Sequence, residues 1–449
     1  MVRARSLAGS LIVLSLNLSA CSGPTGPAGA DGEAGPPGSQ GATGTAGPAG
    51  SAGPAGPAGA GATIDGGINV SCLSPCHGFN GVITQYQGST HYITYLANVD
   101  STTAAEWVAP GGACGNCHAI DGLQQRVTGN VGFDGDAGVV NLASGELQYM
   151  DPTTTPPKPN YATYVGSATV AQVYCTTCHA VTNANDPHVT GIPWTPGSFP
   201  LQVSPDGGSL YLEKSPEAGA VVGTNAGSYG PGDTCMWCHR SRVDVTNYIL
   251  PSNKLTSTYW GPHEGPQADV FTAQGGYQYP GQTYGTSTHQ QKLSCVDCHM
   301  PNVADNQNVP NHTFNPQLSA CASSGCHTPT PTTFDIAGGE SVVKGALTDL
   351  ERALNNQGWL TRSAAAPYVP LTDPDAGGGN VGDGNWAEDT PLPGPTLTAA
   401  QAGALYDYII VARGGAYGVH NPLYEEQLLY DSYEAVTGNA PPTFPSGRP

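Results

Sequence analysis

Twelve of the thirteen cysteines in this chain fall in six pairs, and each pair is followed at once by a histidine. Four pairs have two residues between the thiols: Cys114-Gly-Asn-Cys117-His118, Cys175-Thr-Thr-Cys178-His179, Cys235-Met-Trp-Cys238-His239 and Cys295-Val-Asp-Cys298-His299. Two pairs are stretched: Cys72-Leu-Ser-Pro-Cys76-His77 has three residues between the thiols, and Cys321-Ala-Ser-Ser-Gly-Cys326-His327 has four. Zinc ribbons and disulfides also use paired cysteines, but neither requires a histidine directly after the second one. Histidine is only 12 of 449 residues, so six trailing histidines out of six are not a chance outcome.

The pattern is the attachment signature of c-type haem. Two thiols on one turn add to the two vinyl groups on one edge of the porphyrin, and the adjacent histidine lies under the ring and bonds the iron. Only the Cys-His adjacency is fixed by this geometry; the segment between the thiols is free to bulge, so the stretched pairs qualify. Six haems c (iron) are therefore expected, with His77, His118, His179, His239, His299 and His327 as proximal ligands. Exactly half of the histidines are then left over: His91, His188, His263, His289, His312 and His420. One spare histidine per haem is what full bis-His ligation needs. The usual competitor is methionine. Of the four methionines, Met1 leaves with the leader, Met236 lies inside a pair motif and Met300 directly follows a proximal histidine, which leaves Met150. Bis-His iron implies lower potentials than Met/His iron. Which spare histidine faces which haem is not readable: His289 and His312 flank the fifth motif, and each can serve a haem other than the one nearest in sequence.

With 62 glycines, 40 prolines and only 11% charged residues, the chain is poor in long regular elements. It needs something to pack against, and haem supplies a large apolar disc. The expected fold is mainly α with extensive loop and few or no sheets: a haem-cored multihaem cytochrome domain, with C-terminal helices packed on a haem chain. Proximal histidines recur at intervals of 41, 61, 60, 60 and 28 residues, weak evidence for repeated modules.

The N-terminus reads as a targeting segment, with Arg3 and Arg5 before an apolar run from Leu7 to Leu18. It ends in Leu18-Ser19-Ala20-Cys21, which resembles the bacterial lipobox, where the leader is cut before a cysteine that is then lipidated. Six haems use twelve cysteines and leave Cys21 over, which lipidation explains. From Gly23 to Gly59 glycine occupies every third position, a collagen-like period. Extended, this segment reaches about 115 Å at roughly 3.1 Å per residue. It serves either as a single-chain spacer or as the stem of a homotrimer. The expected domains are residues 1–20 as lipoprotein signal peptide, 21–66 as lipidated cysteine and stalk, 67–330 as hexahaem-binding domain, and 331–449 as a C-terminal helical region completing it. The formal charge of −20 argues against nucleic acid and anionic lipid as partners, since both demand basic patches.

The tail holds the clearest helices. Val342, Val343, Ala346, Leu347, Leu350 and Leu354 fall on one face of a helix from Ser341 to Asn356, with Gly358 as stop. Thr398-Ala-Ala-Gln401 reads as a capping box opening a second helix that stops at Gly414-Gly415. Asn421 as N-cap and Pro422 as first residue open a third, ending before Gly438. Between the first two, the acidic loop from Asp373 to Asp383 departs from the EF-hand pattern and reads as a solvated loop rather than a calcium site.

His420-Asn421-Pro422 before the last helix, and Cys295-Val-Asp-Cys298-His299-Met300-Pro301 preceded by His289, resemble the multihaem cytochrome group that includes the pentahaem nitrite reductases. The resemblance covers roughly residues 235–436. It implies helices packed on a stacked haem chain and a distal ligand before the last helix, a position that His420 matches, as His289 matches another. The family's Cys-x-x-Cys-Lys catalytic motif is absent here, and neither six motifs nor the stalk belong to its pattern. Two functions compete. One is an electron conduit at the cell surface or in the periplasm, exchanging electrons with redox proteins or extracellular acceptors. The other is a reductase of a small nitrogen or sulfur oxyanion at one open haem. The histidine count favours the conduit. The haem count is also similar to that of filament-forming extracellular cytochromes. The location expected is an outer-membrane lipoprotein, cell-surface or periplasmic in orientation.

Overall fold

Glycine and proline interrupt the chain so often that most of its helices stop after one or two turns. The computed structural model describes residues 81–98, 107–108, 114–127, 139–141, 147–151, 158–160, 172–192, 199–203, 211–212, 220–221, 229–241, 245–303, 306–322, 326–360 and 386–449. The leader, Cys21, the stalk, the Cys72–His77 motif and the acidic loop all lie outside them. Residues 61–449 form one compact unit.

Three long helices carry the apolar core: α1 (Gly339–Asn356), α2 (Ala399–Gly414) and α3 (Pro422–Thr437). α1 is amphipathic and buries Val343, Ala346, Leu347, Leu350 and Leu354. α2 is apolar on all sides and buries every residue from Ala402 to Gly414, so it runs through the centre of the core rather than along its surface. Its capping box forms as expected, with Gln401 N–H donating to Thr398 Oγ1 and Thr398 N–H to Gln401 Oε1. Gly415 and Gly438 take left-handed backbone after α2 and α3, and Gly358 does so just beyond α1.

Asn421 departs from expectation. Its side chain makes no cap hydrogen bond to α3. Its Nδ2 donates to the carbonyl of Phe271, a tertiary contact that orients the side chain and leaves Oδ1, the atom that would cap, without a hydrogen-bond partner. The sheets are small: one three-stranded and three two-stranded ribbons among the described residues. One of these, Ser252–Lys254 against Thr396–Thr398, ties the segment after the fourth motif to the start of α2.

The core also grips the segment that leads to the fifth motif. Gly276 N–H donates to Tyr424 Oη at 3.0 Å, Tyr277 N–H to Asp407 Oδ1 at 2.6 Å and Gly285 N–H to Gln427 Oε1 at 2.8 Å. These acceptors sit on α2 and α3, so the loop's buried amides are satisfied by core side chains. Gly403 on α2 makes room for this loop: a Cβ there would lie 2.2 Å from the Tyr277 ring. Among the described residues, no helix is long and apolar enough to cross a membrane.

Candidate functional site: five paired imidazoles

Each standard pair motif winds a single helical turn, so its histidine amide meets the carbonyl of the first cysteine. His118 N–H bonds Cys114 O at 2.9 Å, His179 N–H bonds Cys175 O at 2.8 Å, and His239 N–H bonds Cys235 O at 3.0 Å. The stretched motif makes the same bond: His327 N–H reaches Cys321 O at 3.0 Å. The relation of histidine to first cysteine is thus kept. None of the ten described motif cysteines is in a disulfide.

The imidazoles come in pairs, and each pair joins one motif histidine to one spare histidine. Ring centres are 5.8 Å apart for His239 and His91, 6.5 Å for His118 and His263, 6.4 Å for His179 and His312, 6.2 Å for His299 and His420, and 6.1 Å for His327 and His289. Two metal–imidazole bonds of about 2.0–2.1 Å, plus roughly 1.1 Å from each nitrogen to its ring centre, place two axial imidazoles roughly 6 Å apart. The spacing therefore fits one iron between each pair. Among the described residues no three His, Cys, Asp or Glu side chains converge as a protein-only metal site would need. A porphyrin supplies the other four nitrogens itself, so two imidazoles suffice.

The tautomers fit as well. A carbonyl oxygen can only accept, so an Nδ1 that bonds one must carry the proton, which leaves Nε2 with a lone pair for iron. His179 Nδ1 donates to Pro200 O at 3.1 Å, and His299 Nδ1 to Phe314 O at 2.7 Å. On the distal side, His263 Nδ1 donates to Glu264 O at 2.9 Å, His289 Nδ1 to Val419 O at 2.8 Å, and His312 Nδ1 to Pro310 O at 2.8 Å. His239 Nδ1 donates to Gln267 Oε1 at 3.0 Å. Burial also keeps several rings neutral, as ligation requires. Desolvation lowers His91 to about 4 and His420 to about 3, and holds His179, His299 and His312 below the ordinary value.

The helical core positions several of the spare histidines. Arg413, at the end of α2, donates from Nη1 to Pro262 O at 2.5 Å and faces Glu264 Oε1 from Nε at 3.4 Å. This hydrogen bond and ion pair clasp the segment that carries His263, with a cation at a helix C-terminus where the dipole favours it. The turn between α2 and α3 is pressed onto the start of α1. Gly418 has a φ of +95°, and a Cβ there would lie 3.0 Å from Gly339 O and Val343 Cγ2. That turn delivers Val419 O to His289 and His420 to His299.

Neighbouring sites touch one another. Thr177 Oγ1, inside the third motif, donates to Ile120 O just after the second motif at 2.9 Å. Cys295 Sγ of the fifth motif lies 3.9 Å from Gly232 O beside the fourth. Gln317 N–H, which leads into the sixth motif, donates to Cys298 O of the fifth at 3.1 Å.

The twelve sequence-predicted histidines thus fall into two groups. Ten are brought together as five pairs. His77 and the side chain of His188 lie outside the described residues, as do Cys72, Cys76 and the Met150 side chain. Gln267, Phe314 and Arg413 were not singled out from sequence; they carry no motif, and only the contacts they make in three dimensions mark them.

No family model matches the chain, and no curated protein matches it. Among solved structures, the outer cell wall cytochrome OcwA is similar at 15% sequence identity and a TM-score of 0.37. The match covers 80% of this chain and 50% of that one, so this chain spans about half the length of that cytochrome. The likeness is too distant to carry any residue of that protein over to this one.

Proposed function

We propose that this chain is a hexahaem c-type cytochrome whose haems are held between pairs of histidines and relay electrons. The observation that carries the proposal is the pairing itself: five motif histidines each face a different spare histidine, at 5.8–6.5 Å between ring centres. Haem c, when bound, supplies one-electron exchange between Fe(III) and Fe(II). The residues of the chain do the rest. The cysteine pairs would hold each ring by two thioethers. Carbonyl acceptors fix the tautomers of His179, His263, His289, His299 and His312. The contacts between neighbouring motifs keep successive sites close.

With both histidines of a pair on its iron, a haem would have no position left for a substrate, which supports transfer over catalysis at these five sites. The competing reading, reduction of a small nitrogen or sulfur oxyanion, is thereby narrowed to the haem expected at Cys72, Cys76 and His77. By count alone, His188 is the histidine left to serve it. We further propose that lipidated Cys21 anchors the mature protein to an outer membrane, that the stalk acts as a spacer, and that the partners are redox proteins or extracellular acceptors.

Electron paramagnetic resonance of the oxidised protein tests the relay. Six low-spin ferric signals are expected; a high-spin signal that integrates to one haem would overturn a pure conduit. For the anchor, the mass of the mature N-terminus is expected to show diacylglyceryl-modified Cys21, and an unmodified N-terminus would contradict it.

A further inference from the structure

Phe314 follows the spare histidine His312 by two residues and has a φ of +59°, left-handed backbone that a bulky side chain rarely takes. Such an outlier persists only where the surroundings over-determine it, and it points to function. Here both flanks are pinned. Asn311 N–H donates to Pro301 O at 3.0 Å, Thr313 N–H to Asn311 Oδ1 at 2.8 Å, and Gln317 N–H to Cys298 O at 3.1 Å. His312 N–H, one step further back, donates to Gln85 Oε1 at 2.7 Å, on the helix just before the one that carries His91.

From this position one residue reaches three sites. The Phe314 ring meets His91 edge-on at 4.9 Å and 72°. It meets His312 at 5.9 Å and 67°. Its carbonyl accepts the Nδ1 proton of His299 at 2.7 Å. His91 faces the fourth motif, His312 the third and His299 belongs to the fifth. A glycine would adopt this backbone freely and would still present the carbonyl, so the strain is borne for the ring.

We propose that Phe314 is a positioning residue shared by three haem sites: its ring sets the planes of His91 and His312, and its carbonyl sets the plane of His299. The inference rests on the bis-His reading above. An edge-on aromatic contact restricts rotation of an imidazole about its iron–nitrogen axis. That rotation governs the anisotropy of a low-spin ferric signal and bears on the potential of the haem. The third and fourth haems are thereby tuned by its side chain and the fifth by its carbonyl, at the place where their sites meet.

Phe314→Gly removes the ring and keeps the left-handed backbone and carbonyl. The expected result is full haem content, movement of two low-spin signals, and no movement of the signal from the His299 haem. Phe314→Tyr keeps the ring and is expected to leave the wild-type spectrum in place. Should Phe314→Gly fail to take up its haems, Phe314→Leu, which retains apolar bulk without the aromatic edge, is expected to move the same two signals. A fully loaded Phe314→Gly or Phe314→Leu protein with an unchanged spectrum overturns the proposal. Missing haem or high-spin iron in the wild-type protein would instead sink the bis-His reading, so the two failures are distinguishable.

Discussion

The side-chain oxygen of Gln267 accepts the Nδ1 proton of His239 at 3.0 Å, and its orientation is not arbitrary. Gln267 Nε2 donates to the carbonyl of Gly414 at 3.2 Å, which forces the amide oxygen towards the imidazole. The end of α2 thus fixes the tautomer of a motif histidine through one amide. Such an outer acceptor makes a ligating imidazole more basic and favours ferric iron. In Gln267→Leu the haem at Cys235–His239 is expected to move to a more positive potential while the others hold. A spectroscopically monitored redox titration checks this; an unchanged set of potentials would show that the amide is not coupled to the iron.

His420 faces His299 at 6.2 Å and sits half-buried just before α3. A spare histidine is not a point of covalent attachment, so His420→Ala is expected to keep all six haems. It opens one axial position, and one-sixth of the ferric iron turns high-spin. Imidazole added to the solution restores the low-spin signal. If His420→Ala stays wholly low-spin before imidazole is added, His420 is not a ligand.

Glu425 on α3 is buried, with Oε2 accepting from Gly418 N–H at 2.9 Å and Oε1 without a hydrogen-bond partner. Burial raises its carboxyl to about 8, with the neighbouring carboxyl of Glu426 adding to the effect. The folded state therefore holds a proton that the unfolded state has already lost. Stability from this group is present below the ordinary glutamate range and falls as pH rises through about 8. Glu425→Gln is expected to flatten that slope and to gain on the order of 2–4 kcal/mol over wild type above pH 9. Chemical denaturation at a series of pH values measures it, and parallel curves for the two proteins would rule out the buried carboxyl as the cause.

How legible all this was in the sequence follows from the range of each interaction. The cysteine-pair motifs are local, so all six could be read, and in the Cys321–His327 motif the histidine amide still reaches the first cysteine. Helix stops at Gly415 and Gly438, and the capping box at Thr398, are local too. The histidine pairings are not. His91 meets His239 and His312 meets His179 only because distant segments pack together, and nothing adjacent to either residue in the chain encodes that. Asn421 stands at the N-cap as read, but its side chain makes no cap, because its Nδ2 is held by Phe271 O across the fold. Gln267 and Phe314 are ordinary residue types at unmarked positions. Their roles come from a carbonyl or amide that points at an imidazole.

The central claim is that every cysteine pair, standard or stretched, carries a haem. A pyridine haemochrome assay combined with intact-mass measurement tests it most directly. The account predicts six haems per chain, with twelve of the thirteen cysteines consumed as thioethers. Four haems, with free thiols at Cys72, Cys76, Cys321 and Cys326, would contradict it.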